Sequence, residues 1–204
     1  MKNTKKLSAT FMAALFAVGV ASTAFAATDT DLSISVVQGA QTLDIVDAAG
    51  APVTDPGVTM SEITFDFIDQ TSAGTLGVAG EKIRVYNPTA TQTWAASIAA
   101  TGANTATWTG GSEIMDFNDS TDAQLTIDPS TGMITSQHTG VANVALGSTA
   151  SFEEGITDSI TLFSASAVAV PYNYYDLAGV SVSQLVPANQ PVETYTLNLT
   201  LTLV

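Results

Sequence analysis

The residues best suited to chemistry lie in one short acidic segment. Oxygen-bearing side chains recur there at alternate positions, namely Asp116, Asn118, Ser120 and Asp122. This spacing is typical of a calcium loop, because the cation prefers carboxylate, amide and hydroxyl oxygens. The match to an EF-hand is partial, since Thr121 stands where glycine is required and Ile127 where a bidentate glutamate is required. The sequence therefore predicts either a Ca²⁺ site or an acidic, solvated loop, and no obligatory cofactor.

Catalytic chemistry has little support in this chain. It contains no cysteine and a single histidine, His138, in a turn-like context that predicts a surface side chain. No Gly-x-Ser-x-Gly segment is present to supply a nucleophile. Glu153 and Glu154 are adjacent, and neighbouring residues of a strand point to opposite faces, so they form a poor acid–base pair. We expect the protein not to be an enzyme.

Aromatic residues provide a second candidate site, because an aromatic face can stack on the apolar face of a sugar. Trp108 is flanked by Thr107 and two glycines, which predicts an exposed ring. Trp94 alternates in phase with Ile98, which predicts a core position. A further cluster consists of Tyr172, Tyr174 and Tyr175. Trp108 is thus the tryptophan expected to contact a glycan.

The first 26 residues have the pattern of a signal peptide. Lys2, Lys5 and Lys6 precede an uncharged apolar run at residues 11–21, and Ala24-Phe25-Ala26 supplies a small-x-small cleavage site. We expect cleavage after Ala26 and secretion of the remainder. A retained membrane anchor is the alternative. No later apolar segment is long enough to span a membrane.

The charge balance limits the partners. The 204-residue chain has five basic and 19 acidic residues, a formal charge of −14. Cleavage after Ala26 would leave Lys82 and Arg84 against all 19 acidic residues, a charge of −17. Such a protein lacks the cations that nucleic-acid binding requires. It should also repel anionic polymers unless cations bridge the two.

Alternation of apolar and polar residues recurs along the chain and predicts β-strands. The alternating positions are Leu32/Ile34/Val36, Leu43/Ile45, Ile63/Phe65/Phe67, Ile83/Val85, Trp94/Ala96/Ile98, Leu125/Ile127, Ile160/Leu162, Val180/Val182 and Tyr195/Leu197/Leu199/Leu201/Leu203. Turn-forming residues separate these runs, and helical periodicity is absent beyond the signal segment. We predict an all-β protein: a single antiparallel β-sandwich over residues 27–204.

The order of these segments resembles the WxL-domain family of bacterial surface proteins. The opening LSISVVQGAQTLDI, the central TWAASIAATGANTATW and the closing LVPANQPVETYTLNLTLTL carry the resemblance. Tyr195 and Leu199 fit the family's closing Tyr-x-x-x-Leu pattern. In the Trp-x-Leu motif Trp94 is present, but Ala96 replaces leucine.

The resemblance implies a β-rich domain that binds the cell wall non-covalently, through peptidoglycan. It makes Trp94, Trp108, Tyr195 and Leu199 the candidate glycan-binding residues, with Trp94 and Tyr195 expected to act by holding the sandwich together. The expected location is extracellular, at the cell wall or cell surface, with wall glycan or other envelope proteins as partners. The alternative is a self-assembling surface-layer or fibre subunit, hence a homo-oligomer, because the C-terminal strand lacks edge-protecting charges.

Overall fold

A computed structural model describes residues 33–89, 93–138, 140–166 and 172–204. The predicted signal peptide, residues 1–26, lies outside this part of the chain. Residues Gln38–Val204 form one compact unit. Within the described ranges, no helix has the length and apolar character needed to cross a membrane.

Short strands account for nearly all the regular structure. In chain order they are β1 (Thr42–Val46), β2 (Gln70–Leu76), β3 (Lys82–Asn87), β4 (Trp94–Ala100), β5 (Trp108–Gly110), β6 (Glu113–Met115), β7 (Asn118–Asp119), β8 (Ala123–Asp128), β9 (Met133–Ser136), β10 (Val144–Leu146), β11 (Ala150–Ser151), β12 (Ser159–Ala165), β13 (Asn173–Ala178), β14 (Val180–Val186) and β15 (Leu199–Leu203). Single 3₁₀ turns occur at Ala103–Thr105 and Pro129–Thr131. This content confirms the all-β prediction.

The strands form three main antiparallel sheets. The first sheet has the order β1-β3-β13-β9, the second β10-β12-β4-β15 and the third β11-β8-β14-β2. β7 pairs with β8, and β5 and β6 form a separate hairpin. Buried residues of all three sheets belong to one hydrophobic cluster. The arrangement agrees with the predicted β-sandwich.

Period-two patterning explains how the core is filled. In β4 the residues Trp94, Ala96 and Ile98 are buried, while those between them are partly exposed. The same alternation places Ile127 of β8 and Val182 of β14 in the core. Side chains of successive strand residues point to opposite faces, so each strand contributes every second residue to one interior.

A bulge in β12 departs from this alternation. The register with β4 shifts between Thr161 and Phe163, and both Leu162 and Phe163 are fully buried. Gly147 packs against the bulge, donating its amide N–H to the Leu162 carbonyl at 2.8 Å. A Cβ at Gly147 would lie only 1.8 Å from the Thr161 carbonyl oxygen. Only glycine permits this approach, which lets β12 turn two consecutive side chains inward.

Two predicted strands are absent from the described residues, the first of them judged from Ile34 and Val36 because Leu32 lies outside the described ranges. Residues 33–40 have no strand pairing, and Ile34 and Val36 are exposed. Residues 61–68 are also irregular, with Phe65 and Phe67 exposed and in edge-to-face contact. The second segment lies beyond edge strand β2. Its backbone hydrogen bonds are isolated ones: the Ser61 amide donates to the Ala73 carbonyl, and the Asp66 carbonyl accepts from the Asn189 amide. Alternation alone does not make a strand when no partner continues the ladder.

Candidate functional site: the outer face of the first sheet

Three polar side chains of β3 project from the outer face of the first sheet. Lys82, Arg84 and Tyr86 alternate with the buried residues Ile83, Val85 and Asn87. Burial of the latter set fixes the orientation of the former, because strand side chains alternate. The sandwich core thereby presents a defined row of cationic and aromatic groups to the surface.

An ion pair with β13 holds Arg84 in place. Its Nε donates to Asp176 Oδ1 at 2.6 Å and its Nη2 donates to Asp176 Oδ2 at 2.8 Å. Asp176 lies opposite Arg84 in the register and is buried. Hydrogen bonding to this carboxylate raises the pKa of Arg84 above its usual value. Bidentate geometry satisfies both carboxylate oxygens, as a buried charge requires.

Gly50 covers the other side of the guanidinium. Its φ is +87°, a conformation that glycine adopts without steric cost. A Cβ at this position would lie 2.5 Å from Arg84 Nη1. Asp47 supports the turn by accepting the amide N–H groups of Ala49 and Ala51. The turn after β1 therefore depends on glycine both for its backbone conformation and for the space that Arg84 occupies.

Aromatic rings continue the row. The Arg84 guanidinium carbon lies 4.2 Å from the centroid of the Tyr174 ring, a cation–π contact. Tyr86 lies directly opposite Tyr174, with ring centroids 6.4 Å apart. The exposed His138 packs edge-on to Tyr174 at 6.0 Å. Tyr86 is 45% exposed, so this platform presents an aromatic face to solvent. We call Arg84, Tyr86, His138 and Tyr174 the tyrosine platform.

The three tyrosines singled out in the sequence have different positions. Tyr175 is fully buried and contacts Trp94, with ring centroids 5.6 Å apart. Tyr174 belongs to the tyrosine platform. Tyr172 is exposed and precedes β13, with a φ of +56° that non-glycine residues rarely adopt. Sequence inspection found this cluster but missed Tyr86, which joins it only through the β3–β13 register.

The outer face is also where the chain's sparse positive charge lies. Lys82 and Arg84 are the only basic residues after residue 26. Two negative charges lie on the same face. Asp44 of β1 and Asp176 of β13 both stand opposite Arg84 in the strand register. Asp47, in the turn after β1, also acts electrostatically on Arg84, so two cations meet three carboxylates here, whereas the other 16 acidic residues lack basic counterparts beyond residue 26.

Trp94 occupies a core position, as its alternation predicts. It is 4% exposed and packs edge-to-face on Phe163, with ring centroids 5.1 Å apart. Its indole Nε1 has no hydrogen-bond partner among the described residues. A ring in this position stabilises the sandwich, and a glycan contact by Trp94 stays a prediction.

Trp108 is not the freely exposed ring that its neighbours suggest. It is partly buried against the core cluster, and its Nε1 donates to Gln184 Oε1 at 2.8 Å. Gln184, on β14, is 1% exposed. The acceptor lies 76 residues away in sequence, so the local Thr107 and Gly110-Gly111 context gave no indication of it. The indole edge is thus committed to holding the β5–β6 hairpin against the third sheet.

Tyr195 and Leu199 lie on the half-buried side of the C-terminal segment, where side chains alternate between partly buried and exposed as predicted. The Tyr195 hydroxyl donates to the Pro191 carbonyl at 2.9 Å and accepts from Gln190 Nε2 at 2.8 Å. Leu199 begins β15 and packs against the core. These contacts give both residues a structural role.

The acidic segment uses its oxygens locally. Asp116 Oδ1 accepts the amide N–H groups of Phe117 and Asn118, and Asp119 Oδ1 accepts that of Thr121. Asn118 is buried, whereas Asp116, Ser120 and Asp122 are exposed. Such Asx turns are the usual work of aspartates in loops. Calcium binding by these four residues stays a prediction.

The tyrosine platform can bind a ligand but shows no catalytic arrangement. A tyrosine ring stacks on the C–H face of a sugar, and the fixed guanidinium keeps the adjoining ring oriented. Among the described residues, no three His, Asp or Glu side chains are grouped to hold a metal ion.

In comparisons with known proteins, no family model, no curated protein and no solved structure matches the chain.

Proposed function

We propose that this protein is a secreted surface protein that associates non-covalently with the bacterial cell wall, with the tyrosine platform as its glycan-binding site. The observation that carries the proposal is the pairing of exposed Tyr86 with the Arg84–Tyr174 contact on one sheet face. The signal-peptide pattern and the resemblance to WxL-domain proteins support the location.

Electrostatics favours this face over the rest of the surface. Bacterial wall polymers are largely anionic, and a chain with a net charge of −17 after cleavage is repelled by them. The face bearing Lys82 and Arg84 is the place where that repulsion is locally reduced. A polysaccharide can therefore approach there, and stacking then supplies short-range attraction.

Tyr86 suits this role better than either tryptophan. Trp94 is enclosed in the core, and the Trp108 N–H is already bonded to Gln184. Tyr86 combines exposure with a fixed neighbour, since Tyr174 is held by Arg84. A preorganised ring loses little conformational entropy when a ligand binds.

Co-sedimentation of the secreted protein with purified sacculi tests the proposal. Tyr86→Ala should weaken binding about tenfold, which corresponds to about 1.4 kcal/mol of lost stacking. Circular dichroism should show that the variant stays folded, because Tyr86 is on the solvent side of the sheet. Phe67→Ala is the matched control: it removes a ring that is 75% exposed but lies outside the platform.

Two results would contradict the assignment. If the wild-type protein fails to sediment with sacculi, in calcium or in chelator, wall association is wrong. If the Tyr86→Ala and Phe67→Ala proteins both bind sacculi as strongly as the wild type does, the wall contact lies elsewhere on the surface. Adding salt should strengthen binding if repulsion from the remaining acidic surface opposes it, because screening reduces that repulsion.

A further inference from the structure

The C-terminal segment has an unpaired backbone edge. β15 is the last strand of the second sheet, and its one strand partner in the described chain is β4. Val204 and Ala95 exchange amide hydrogen bonds of 3.0 and 2.8 Å, and Thr196 and Thr109 exchange two of 2.9 Å. The even-numbered residues of this segment therefore form their backbone hydrogen bonds with β4 and with Thr109. The amides of Tyr195, Leu197, Leu199, Leu201 and Leu203 point to the opposite edge.

The sequence of this edge lacks the charges and prolines that normally block strand addition, and the described element that approaches β15 besides its partner β4 is β1. Residues 194–204 contain no charged residue, no proline and no glycine. Proteins usually protect an edge with charges, bulges or a covering loop. The regular Leu-Thr alternation of β15 instead leaves a continuous row of backbone groups that a further strand can pair with.

A large open groove adjoins the same edge; it is mostly apolar and also bordered by Glu62, Asp66, Glu81 and Glu193. Its volume is about 880 Å³, and its lining includes Leu197, Leu199 and Leu201 together with Ile98, Ile127 and Val182. Protein interiors are normally filled to crystal-like density. A groove of this size explains why the leucines of β15 are only half buried. An added strand with apolar side chains would cover both the edge and the groove.

The chain carries a segment of matching chemistry. Ser33-Ile-Ser-Val-Val37 is uncharged and rich in β-branched residues, and it is not paired as a strand. Ile34, Val36 and Val37 are 83, 91 and 83% exposed. Its five residues match the five of β15, both about 17 Å long when extended. Ile34 and Val36 alternate as an inserted strand requires.

From these features we infer that residues 33–37 of one copy add as a strand to the β15 edge of a second copy. Each molecule then has one donor segment and one acceptor edge, so the contact is head-to-tail and generates open chains. Uncharged contact surfaces are needed for this, because two copies of net charge −17 otherwise repel each other. This inference goes beyond wall binding and does not depend on it.

Cysteine pairs test the contact directly, since the chain has no cysteine of its own. Ser35→Cys protein is mixed with Thr200→Cys or Thr202→Cys protein under mild oxidation. When Ile34 and Val36 face the groove, Ser35 shares the outer face with these threonines and lies within crosslinking reach. We expect a disulfide-linked dimer in one of the two mixtures. Ser35→Cys mixed with Thr121→Cys, an exposed loop position, should give none.

A second pair of variants separates the donor strand from general stickiness. Ile34→Asp combined with Val36→Asp, placed in the Ser35→Cys protein, should lower the dimer yield at least about tenfold, because the new carboxylates would lose hydration against Leu199 and Leu201 and would be repelled by the glutamates that border the groove. Ile156→Asp, at another exposed apolar position, should leave the yield unchanged. Both variants alter exposed side chains, and circular dichroism checks that they fold.

Three outcomes would overturn the inference. The first is the absence of crosslinked dimer in both mixtures at concentrations where the wild type is folded. The second is a dimer yield insensitive to the aspartate pair. The third is an intramolecular disulfide in a Ser35→Cys, Thr202→Cys double variant, which would show that the segment adds to its own chain. Sacculus binding by a strictly monomeric protein would leave the wall proposal intact.

Discussion

The hydrogen bond between Trp108 and Gln184 offers the sharpest test of how the hairpin is held. The indole Nε1 lies 2.8 Å from Gln184 Oε1, and the Gln184 amide nitrogen donates to the Leu185 carbonyl at 2.8 Å. Replacing Gln184 by methionine keeps the length of the side chain but removes both functions. A buried hydrogen bond contributes about 0.5–1.5 kcal/mol, and stranding a partner costs about 1–3 kcal/mol. We expect Gln184→Met to lower the free energy of unfolding by about 2 kcal/mol.

Trp108→Phe removes the same bond from the other side. The buried Gln184 oxygen then has no indole donor, and part of the ring's packing is lost, so a similar cost of about 2 kcal/mol is expected. In the double variant neither partner is stranded. Its cost should be smaller than the sum of the single costs by about 1 kcal/mol. Urea unfolding followed by circular dichroism measures all four proteins, with equal m-values as the check on two-state behaviour.

If the destabilisation of the double variant equals the sum of the two single destabilisations to within about 0.3 kcal/mol, the reasoning is refuted. Such additivity would mean that packing alone orients the indole. A parallel sedimentation assay separates structure from function, because Trp108→Phe keeps an aromatic ring. Folded Trp108→Phe protein should bind sacculi as the wild type does. Loss of binding without loss of folding would return the glycan site to Trp108 and remove it from the tyrosine platform.

Three further predictions concern stability. Leu162→Ala should lower the free energy of unfolding in urea by about 2–5 kcal/mol, because this side chain is fully buried. Thr200→Ala should lower it by less than about 0.5 kcal/mol, because this side chain is exposed. Similar urea midpoints for the two variants would contradict the difference in burial. Hydroxyls of Ser130 and Thr149, at 2.5 and 2.6 Å, lower the pKa of Asp128. The ionised Asp128 carboxylate therefore stabilises the fold above its unfolded-state pKa, and this stabilisation is lost as the pH falls through its folded-state pKa. Asp128→Asn should then reduce the drop in melting temperature that the wild type shows below about pH 4. Asp116→Ala should lower the melting temperature by removing a turn acceptor, with or without calcium; a calcium-induced rise in wild type that Asp116→Ala abolishes would instead establish the metal site.

Strand patterning was the part of the fold that the sequence predicted well. Ile98, Ile127 and Val182 alternate with polar residues and all enter the core, because each belongs to a strand with hydrogen-bonded neighbours on both sides. The segment around Phe65 has equally good alternation yet forms no strand, since no ladder extends to it. Whether a partner is available depends on residues far away in sequence, and local pattern carries no information about that.

Strands β2 and β13 were missed for the opposite reason. β2 is composed mainly of small and hydroxyl-bearing residues, and β13 contains Asp176, whose burial is tolerable only because Arg84 meets it from β3. The tyrosine platform likewise depends on register, which brings Tyr86 opposite Tyr174 across 88 residues of sequence. Long-range pairing of this kind cannot be read from one sequence without the fold.

The placement of Lys82 and Arg84 on one strand gives the chain beyond residue 26 an electrical polarity. Near a negatively charged surface, a protein with this charge distribution experiences a torque as well as a repulsion. The torque turns its least negative face toward the surface before contact. At an ionic strength of 0.1 M the field extends only about 10 Å, so this alignment operates in the last stage of approach. At such a surface the first sheet would lead the approach, which would shorten the orientational search that normally slows docking.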